Sequence, residues 1–557
     1  MVKRILALLH TEISGLHEAA FLLGLFALGA KGLGLIRDRF LADAFGATLG
    51  LDIYYAAFRI PDFIYVSLAS LVASAVLIPF IIDRLEKGSG AREFFNDVFT
   101  LFSIAILLAS VLAFFVMPTL SFFVAPGFDG EARGELVLLS RILLLSPILL
   151  GLSGLFASVT QSLRRFLVYA LAPVLYNVGI IGGIIFFYPT FGLPGLAYGV
   201  VLGAFLHMAI QIPALWQYKF LPRISFHIRW EDVKRVLTLS LPRTITLSAH
   251  HMALLVLVAM ASYMAEGSIT IFNLAFNLQS VPLDIIGVSY SIAAFPTLAR
   301  FFSNKDYHSF TKHILTAARH IIFWSFPILV LFIVLRAQIV RTILGTGQFD
   351  WSDTRLTAAA LALFIISTIS QSLMILFVRG YYAGGRTIKP LFINVFSLGV
   401  VVGLAFFLNG YFNSSLHFRY FLESLLRIED IQGSEILVLP LAFSLGALLN
   451  IGLLWYFFKK DFGVKTEELT LTLRQSFFAA VIMGFVAHQF LRIFDNVFDI
   501  NTFVGIFSQG LFSGLLGLIA GVLVLKIIRN KEIQDIQATI RQKFWKSRPI
   551  VPDKEGL

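Results

Sequence analysis

The chain is a succession of long apolar stretches separated by short polar ones. About 14 of them reach the roughly 20 residues that a helix needs to cross a bilayer. They lie near 18–36, 52–82, 95–118, 136–160, 166–188, 192–215, 237–263, 268–297, 310–334, 354–378, 388–408, 437–458, 475–494 and 503–528. The pattern predicts an all-α polytopic membrane protein. Residues 1–17 read as an interfacial segment rather than a signal peptide, because the run after Lys3 and Arg4 is short and no small-residue cleavage site follows.

The polar positions between the stretches set the expected orientation. With a cytoplasmic N-terminus, about 21 Lys and Arg fall in cytoplasmic loops and about 7 outside, which the positive-inside rule favours. Arg164-Arg165, Lys219 to Arg235, Lys305 to Arg319 and Lys459-Lys460 then all face the cytoplasm. Both termini are expected there, and the basic tail 529–557 reads as a solvated helix near anionic lipid.

The apolar positions also repeat. Pro173-Val-Leu-Tyr-Asn177-Val and Pro390-Leu-Phe-Ile-Asn394-Val are offset by 217 residues, as are Pro79 and Pro296. Ala57-Phe58-Arg59-Ile60 and Ala275-Phe276-Asn277-Leu278 are offset by 218. Gly195-Leu-Ala-Tyr198 and Pro440-Leu-Ala-Phe443 are offset by 245, which places an insertion within 409–436. The expectation is two six-helix repeats of the same orientation, forming two lobes around a central cavity. They cover 18–215 and 237–458, joined by a linker at 216–236, with two further helices in 475–528.

Composition narrows the chemistry. The chain is 58% hydrophobic and 14% charged, against about 25% charged in soluble domains. The net charge of +11 sits in short loops between spans, which points away from nucleic acid. With no cysteine there are no disulfides and no thiolate chemistry. His250-His251 lacks a third ligand at metal spacing, so no metal is expected. Walker A, HExxH and GxSxG sequences are missing, so neither a cofactor nor an enzyme is expected.

What remains is charge at membrane depth. A charge at the centre of a bilayer costs about 2.5–3.5 kcal/mol on insertion scales, so such residues face a cavity or a partner. Lys31, Arg37, Asp38, Asp52, Arg59 and Asp62 crowd the first two spans, and Arg243 follows Pro242 in the seventh. Two readings stand: a cationic cavity for a phosphate-bearing substrate, or interhelical ion pairs such as Arg37–Asp52 and Arg59–Asp62. Arg39 and Asp43 are assigned to an interfacial helix. Pro61 is expected to kink the second span. Asp284 and Asn277 are candidate coupling or cavity-lining polar residues. Asn177, Asn273, Gln279 and Asn394 read as helix glue.

The central stretch resembles the MurJ/MviN family of lipid II flippases, in the MOP exporter superfamily. The residues that carry the resemblance are Ala30-Lys31-Gly32-Leu33-Gly34-Leu35-Ile36-Arg37-Asp38, Phe45-Gly46, Asp52, Phe58-Arg59-Ile60-Pro61-Asp62, Gly347-Gln348-Phe349 and Tyr381 to Pro390. The chain departs from the family pattern at Lys31, Tyr65, Ser70-Leu71-Val72, Asn277 and Arg386, where family charges are exchanged or lost. The resemblance implies alternating-access translocation of undecaprenyl-diphosphate-linked lipid II across the bacterial cytoplasmic membrane, with its tail in the lipid along 475–528. It implies Lys31, Arg37, Arg59 and Arg243 on the diphosphate, Asp38 and Asp52 steadying those cations, and a monovalent coupling ion. Other readings stay open: export of another lipid-linked oligosaccharide, cation-coupled MOP-type export, a membrane glycosyltransferase or ligase, or an inactive envelope scaffold.

Overall fold

A computed structural model describes residues 16–535 and 537, apart from 73, 89, 465 and 466. Most of the expected interfacial segment 1–17 and of the tail 529–557 therefore lies outside the described residues. Within them the chain is helical, with no strand. Eleven helices among the described residues are long and apolar enough to cross a membrane, or twelve when Trp351–Phe364 and Ile366–Ala383 count as one broken span.

Of the 14 apolar stretches in the sequence, the first two are not among these spans of the described residues. The first lies in α1 (Leu16–Phe45), whose second half carries Lys31, Arg37, Asp38, Arg39 and Asp43. Arg39 and Asp43 thus continue this helix rather than forming a separate interfacial one. The second is broken into α2 (Leu49–Ala57), α3 (Arg59–Ala69) and Ser74–Glu86, each too short to span. The break falls at Phe58 because Pro61 has no N–H for the Ala57 carbonyl and its ring crowds that carbonyl.

The other helices that carry the site are α4 (Phe166–Gly182), α5 (Trp230–Ala261) and α6 (Ser268–Pro282). α6 runs on through a π-helical turn, Leu283–Val288, into Ser289–Ser303. The helices fall into two compact units. One holds the described residues up to Leu278 together with Ile343–Phe364 and Arg386–Asn450. The other holds Gln279–Thr342, Ile365–Gly385 and the described residues from Ile451 on.

The core of the first unit is built from Leu77, Ile81, Phe94, Phe95, Phe102, Leu155, Phe156 and their neighbours. A second aromatic nest joins Phe272, Phe276, Phe364 and Phe443, with ring centroids 5.2–6.4 Å apart. Small residues let backbones meet where hydrophobic driving force is weak. A side chain on Gly179 of α4 would strike the backbone of Gly203, and one on Gly183 would strike Gly199. In the second unit, Arg319 pairs with buried Glu532 at 3.5 Å and Thr472 donates to the same oxygen at 2.9 Å. The start of the tail is therefore packed into this unit, not a solvated helix.

The repeat offset reappears as paired contacts inside the first unit. Gly127 N–H donates to Ser262 Oγ at 3.0 Å, and Gln348 N–H donates to the Asp43 carbonyl at 3.0 Å. Asp129 and Asp350, 221 residues apart, each accept the N–H three residues on, at 2.8 Å. The helices they start break at Leu144 and Ile365, again 221 apart. Phe45-Gly46 and Gly347-Gln348-Phe349, two separate signals in the sequence, meet here: Gly46 lies too close to the Gln348 carbonyl for any side chain, and its φ is +63°.

The 409–436 insertion forms the helix Leu416–Leu426 and a turn at Ser434–Leu437. Glu423 is buried and accepts from Arg419 at 2.9 Å and Ser434 at 2.5 Å. Arg355 donates to both oxygens of Asp430, at 2.9 and 2.8 Å, and this hydrogen-bonded pairing holds the Asp430 carboxyl below its usual range.

Two outcomes follow from this packing. Gly179→Val should cost about 1–3 kcal/mol by overpacking, whereas Gly182→Val, which meets open space, should be near neutral; thermal unfolding of the purified protein separates them. A depressed folded pKa gives Asp430 a stabilising role above its unfolded value of about 3.9, lost as pH falls through the folded value. The unfolding midpoint of wild type should therefore exceed that of Asp430→Asn between about pH 7 and 5, with the gap closing below about pH 4.

Candidate functional site

Four of the expected residues come together where α1, α3 and α6 meet α4. Arg37 and Asp38 are neighbours on α1. The Arg37 guanidinium folds onto Asp38, donating from Nε at 2.9 Å and Nη2 at 2.7 Å to the same oxygen. Its Nη1 reaches Asn177 Oδ1 on α4 at 3.4 Å. The second Asp38 oxygen accepts from Asn277 of α6 at 3.1 Å. Asn177 is itself aimed by its amide, which donates to Ala30 at 3.3 Å and Pro173 at 3.0 Å. The Asp38 side chain is 4% exposed and that of Arg37 is 22% exposed, so the cation keeps an open edge while its counter-ion is sealed.

Arg59, the first residue of α3, donates through Nη2 to Asn273 of α6. Asn273 is oriented by its own amide, which donates to Ile269 at 2.7 Å. The Arg59 Nε is buried without a hydrogen-bond partner. Asp62, one turn on, lies within electrostatic reach of Arg59. The same helix turns Ile60, Phe63 and Ile64 toward a groove of about 1090 Å³. That groove is mostly apolar, with Asn409, Asn413 and Glu435 among its few polar walls.

Asp52 has a different task from the one expected. One of its oxygens accepts from Gly267 N–H at 2.8 Å, the other from Thr270 N–H and Oγ1, both at 2.7 Å. These are donors at the start of α6 that no helical carbonyl can reach. In return Glu266 accepts from Leu49 N–H, at the start of α2, at 2.9 Å. Asp52 therefore holds a helix end and not a cation. The expected pairs Arg37–Asp52 and Arg59–Asp62 are not formed. Arg37 takes Asp38 because the neighbouring carboxylate is already within reach, and Arg59 takes Asn273.

The remaining candidates stand apart from this cluster. Lys31 is exposed on α1, about two turns before Asp38. Arg243 is exposed on α5 beside Thr244, which accepts from Ser70 Oγ at 2.9 Å; Ser67 and Ser248 share a second hydroxyl bond at 2.8 Å. Asp284 is half-buried in the π-helical turn, and it belongs to the other compact unit. His250 and His251 have ring centroids 6.0 Å apart, with Phe443 against His250. No metal-holding group of His, Cys, Asp or Glu occurs among the described residues.

Asn177 and Asn273 are the site residues that the helix-glue reading undervalued. Asn177 carried a usable signal, since its Pro-x-x-x-Asn motif recurs at Asn394. Asn273 carried none in the sequence.

The helical, many-span architecture with charged groups held at membrane depth defines a membrane transporter fold. It is shared with a solved lipid II flippase MurJ in its inward closed conformation, at TM-score 0.72 and 20% identity over 92% of this chain and 100% of that one. It is shared too with an inward-facing MATE multidrug transporter of the MOP superfamily, at TM-score 0.63 and 15% identity over 77% and 94%. The family model described as lipid II flippase MurJ matches residues 41–508, and the chain belongs to that family. Lipid II flippase MurJ of Burkholderia cenocepacia is 27% identical over 368 residues, covering 64% of this chain and 71% of its own. The probable lipid II flippase MurJ of Rickettsia prowazekii is 28% identical over 387 residues, covering 69% and 76%.

Removing the Asp52 carboxylate should orphan three donors. Asp52→Ala is expected to cost about 1–3 kcal/mol, and Thr270→Val about 0.5–1.5 kcal/mol. Denaturant unfolding in detergent reads both; equal stability of Asp52→Ala and wild type would remove the capping role.

Proposed function

We propose that this chain translocates lipid II, or a closely related polyprenyl-diphosphate-linked saccharide, from the cytoplasmic to the outer leaflet. The observation that carries this reading is the pair of guanidinium groups kept at membrane depth, Arg37 on Asp38 and Asn177, and Arg59 on Asn273. Arg matches phosphate oxygens with a planar fork of donors. A diphosphate reaching Arg37 needs only to take over the weak 3.4 Å bond to Asn177 and the open edge of the fork. Asp38 keeps the cation from being a bare buried charge and keeps the diphosphate from binding too tightly to leave. Lys31 and Arg243, both exposed, would meet the head group on its way in.

The lobes 18–215 and 237–458 would provide the alternating access, the tail would run in lipid along 475–528, and both termini would lie in the bacterial cytoplasm. The family is one of transporters, and movement without covalent chemistry is the reading adopted here. Asp284, half-buried in the π-helical turn that continues α6, would serve a coupling cation. Asn277, where the family pattern that the chain resembles has an arginine, uses its amide on Asp38, so Arg37 and Arg59 would hold the diphosphate without a further cation from α6.

Complementation decides between these. In bacteria depleted of their own lipid II flippase, wild type should restore growth, while Arg37→Ala and Arg59→Ala at matched membrane levels should fail. Failure of well-expressed wild type would overturn lipid II as substrate. Rescue by both variants would overturn the role of the two arginines.

A further inference from the structure

The linker 216–236 carries two features that transport does not use. One is a row of outward-facing apolar side chains: Trp216, Leu221, Ile224, Phe226 and Trp230, with Phe226 89% exposed. The other is a pocket of about 460 Å³ between the linker and the start of helix Ala91–Val124. Arg92, Lys219 and Arg223 line it, with Glu93, Asn96 and Phe220.

The pocket is built, not incidental. Asn96 accepts from Arg223 N–H at 2.9 Å and Thr100 accepts from Ser225 N–H at 2.9 Å. Buried Asp97 accepts from Arg229 N–H at 3.3 Å and Nε at 3.0 Å. Two adjacent turns of one helix thus pin the linker. Lys219 adopts the left-handed region, φ +58°, which folds Phe220 under the pocket as a buried floor. Arg92 lies 5.6 Å from the Phe220 ring centroid and donates to the Tyr218 carbonyl at 3.4 Å. Asp97 neutralises Arg229, but Arg92, Lys219 and Arg223 form no ion pair among the described residues. Three cations and Glu93 leave the lining with an excess of two positive charges.

We propose that this pocket binds the phosphate of an anionic phospholipid in the leaflet on the linker's side. A phosphate answers the excess charge, and Arg and Lys near an anionic leaflet each contribute about 1 kcal/mol. Trp216, at the pocket wall, and the neighbouring apolar row supply the surface that an amphiphile needs and a free ion does not. Exposed aromatics beside cations are the signature of chain seated at a bilayer interface. The charge of the site and the apolar row beside it therefore fit the two ends of one molecule.

The test uses full-length protein, stripped of lipid in neutral detergent, with bound lipid counted by native mass spectrometry. Phosphatidylglycerol should bind one-to-one with clear preference over phosphatidylcholine, and inorganic phosphate should not displace it at matched concentration. Arg92→Gln/Lys219→Gln/Arg223→Gln should weaken phosphatidylglycerol about 100-fold, at about fivefold per charge. Glu93→Gln should tighten it about fivefold. Equal binding of the two lipids, displacement by inorganic phosphate, or unchanged affinity in the folded triple variant would overturn the site. Should the triple variant fail to fold, Glu93→Gln decides, and an unchanged affinity there overturns it as well.

Discussion

The Asp52 carboxylate takes three hydrogen bonds at the start of α6, while Glu266 takes one at the start of α2. A helix end leaves its first N–H groups without partners, and the cost rises where water is scarce. Each of these helices meets that cost with a carboxylate from the start of the other. The exchange fixes how α2 and α6 face one another. α6 then presents Asn273 to Arg59 and Asn277 to Asp38, so the polar cluster inherits its geometry from this mutual capping. The contacts span 215 to 218 residues, close to the interval that separates the repeated motifs.

A transporter of a diphosphate faces two opposed demands. Its cations have to be tolerated when the site is empty, yet they have to remain available. Arg37 meets both by pairing with the adjacent residue. The pair travels with one helix and needs no second element to hold it, so a change between helices leaves the charge compensated. Arg59 follows another route, leaning on the neutral amide of Asn273, which is itself held by the Ile269 carbonyl. A full ion pair across helices, as in an Arg37–Asp52 bridge, would have bound the cation more firmly and made it less accessible.

Much of this was legible in the sequence because hydropathy and repetition are strong, local signals. The helical class, the break near Pro61, and the crowding of charged residues in the first two apolar stretches all follow from spacing. Two things did not. The partner of Asp52 was misjudged because charge invites a search for opposite charge, whereas the best acceptor for this carboxylate is a set of backbone donors, which have no residue letter. Asn273 was passed over because an asparagine in a membrane helix looks alike whether it joins helices or steadies an arginine.

The end of α1 docks onto residues that come some 300 positions later: Arg39 donates to the Ile343 carbonyl at 3.2 Å, and Asp353 accepts from Ala47 at 3.0 Å. At a synthesis speed of about 5–20 residues per second, the ribosome reaches those partners roughly 15–60 s after it has made α1. For that interval a helix bearing five charged side chains sits in or beside the insertion machinery with its docking groups vacant. The architecture thus places a timing burden on biogenesis, and any chaperone or lipid that shelters the nascent α1 acts in that window.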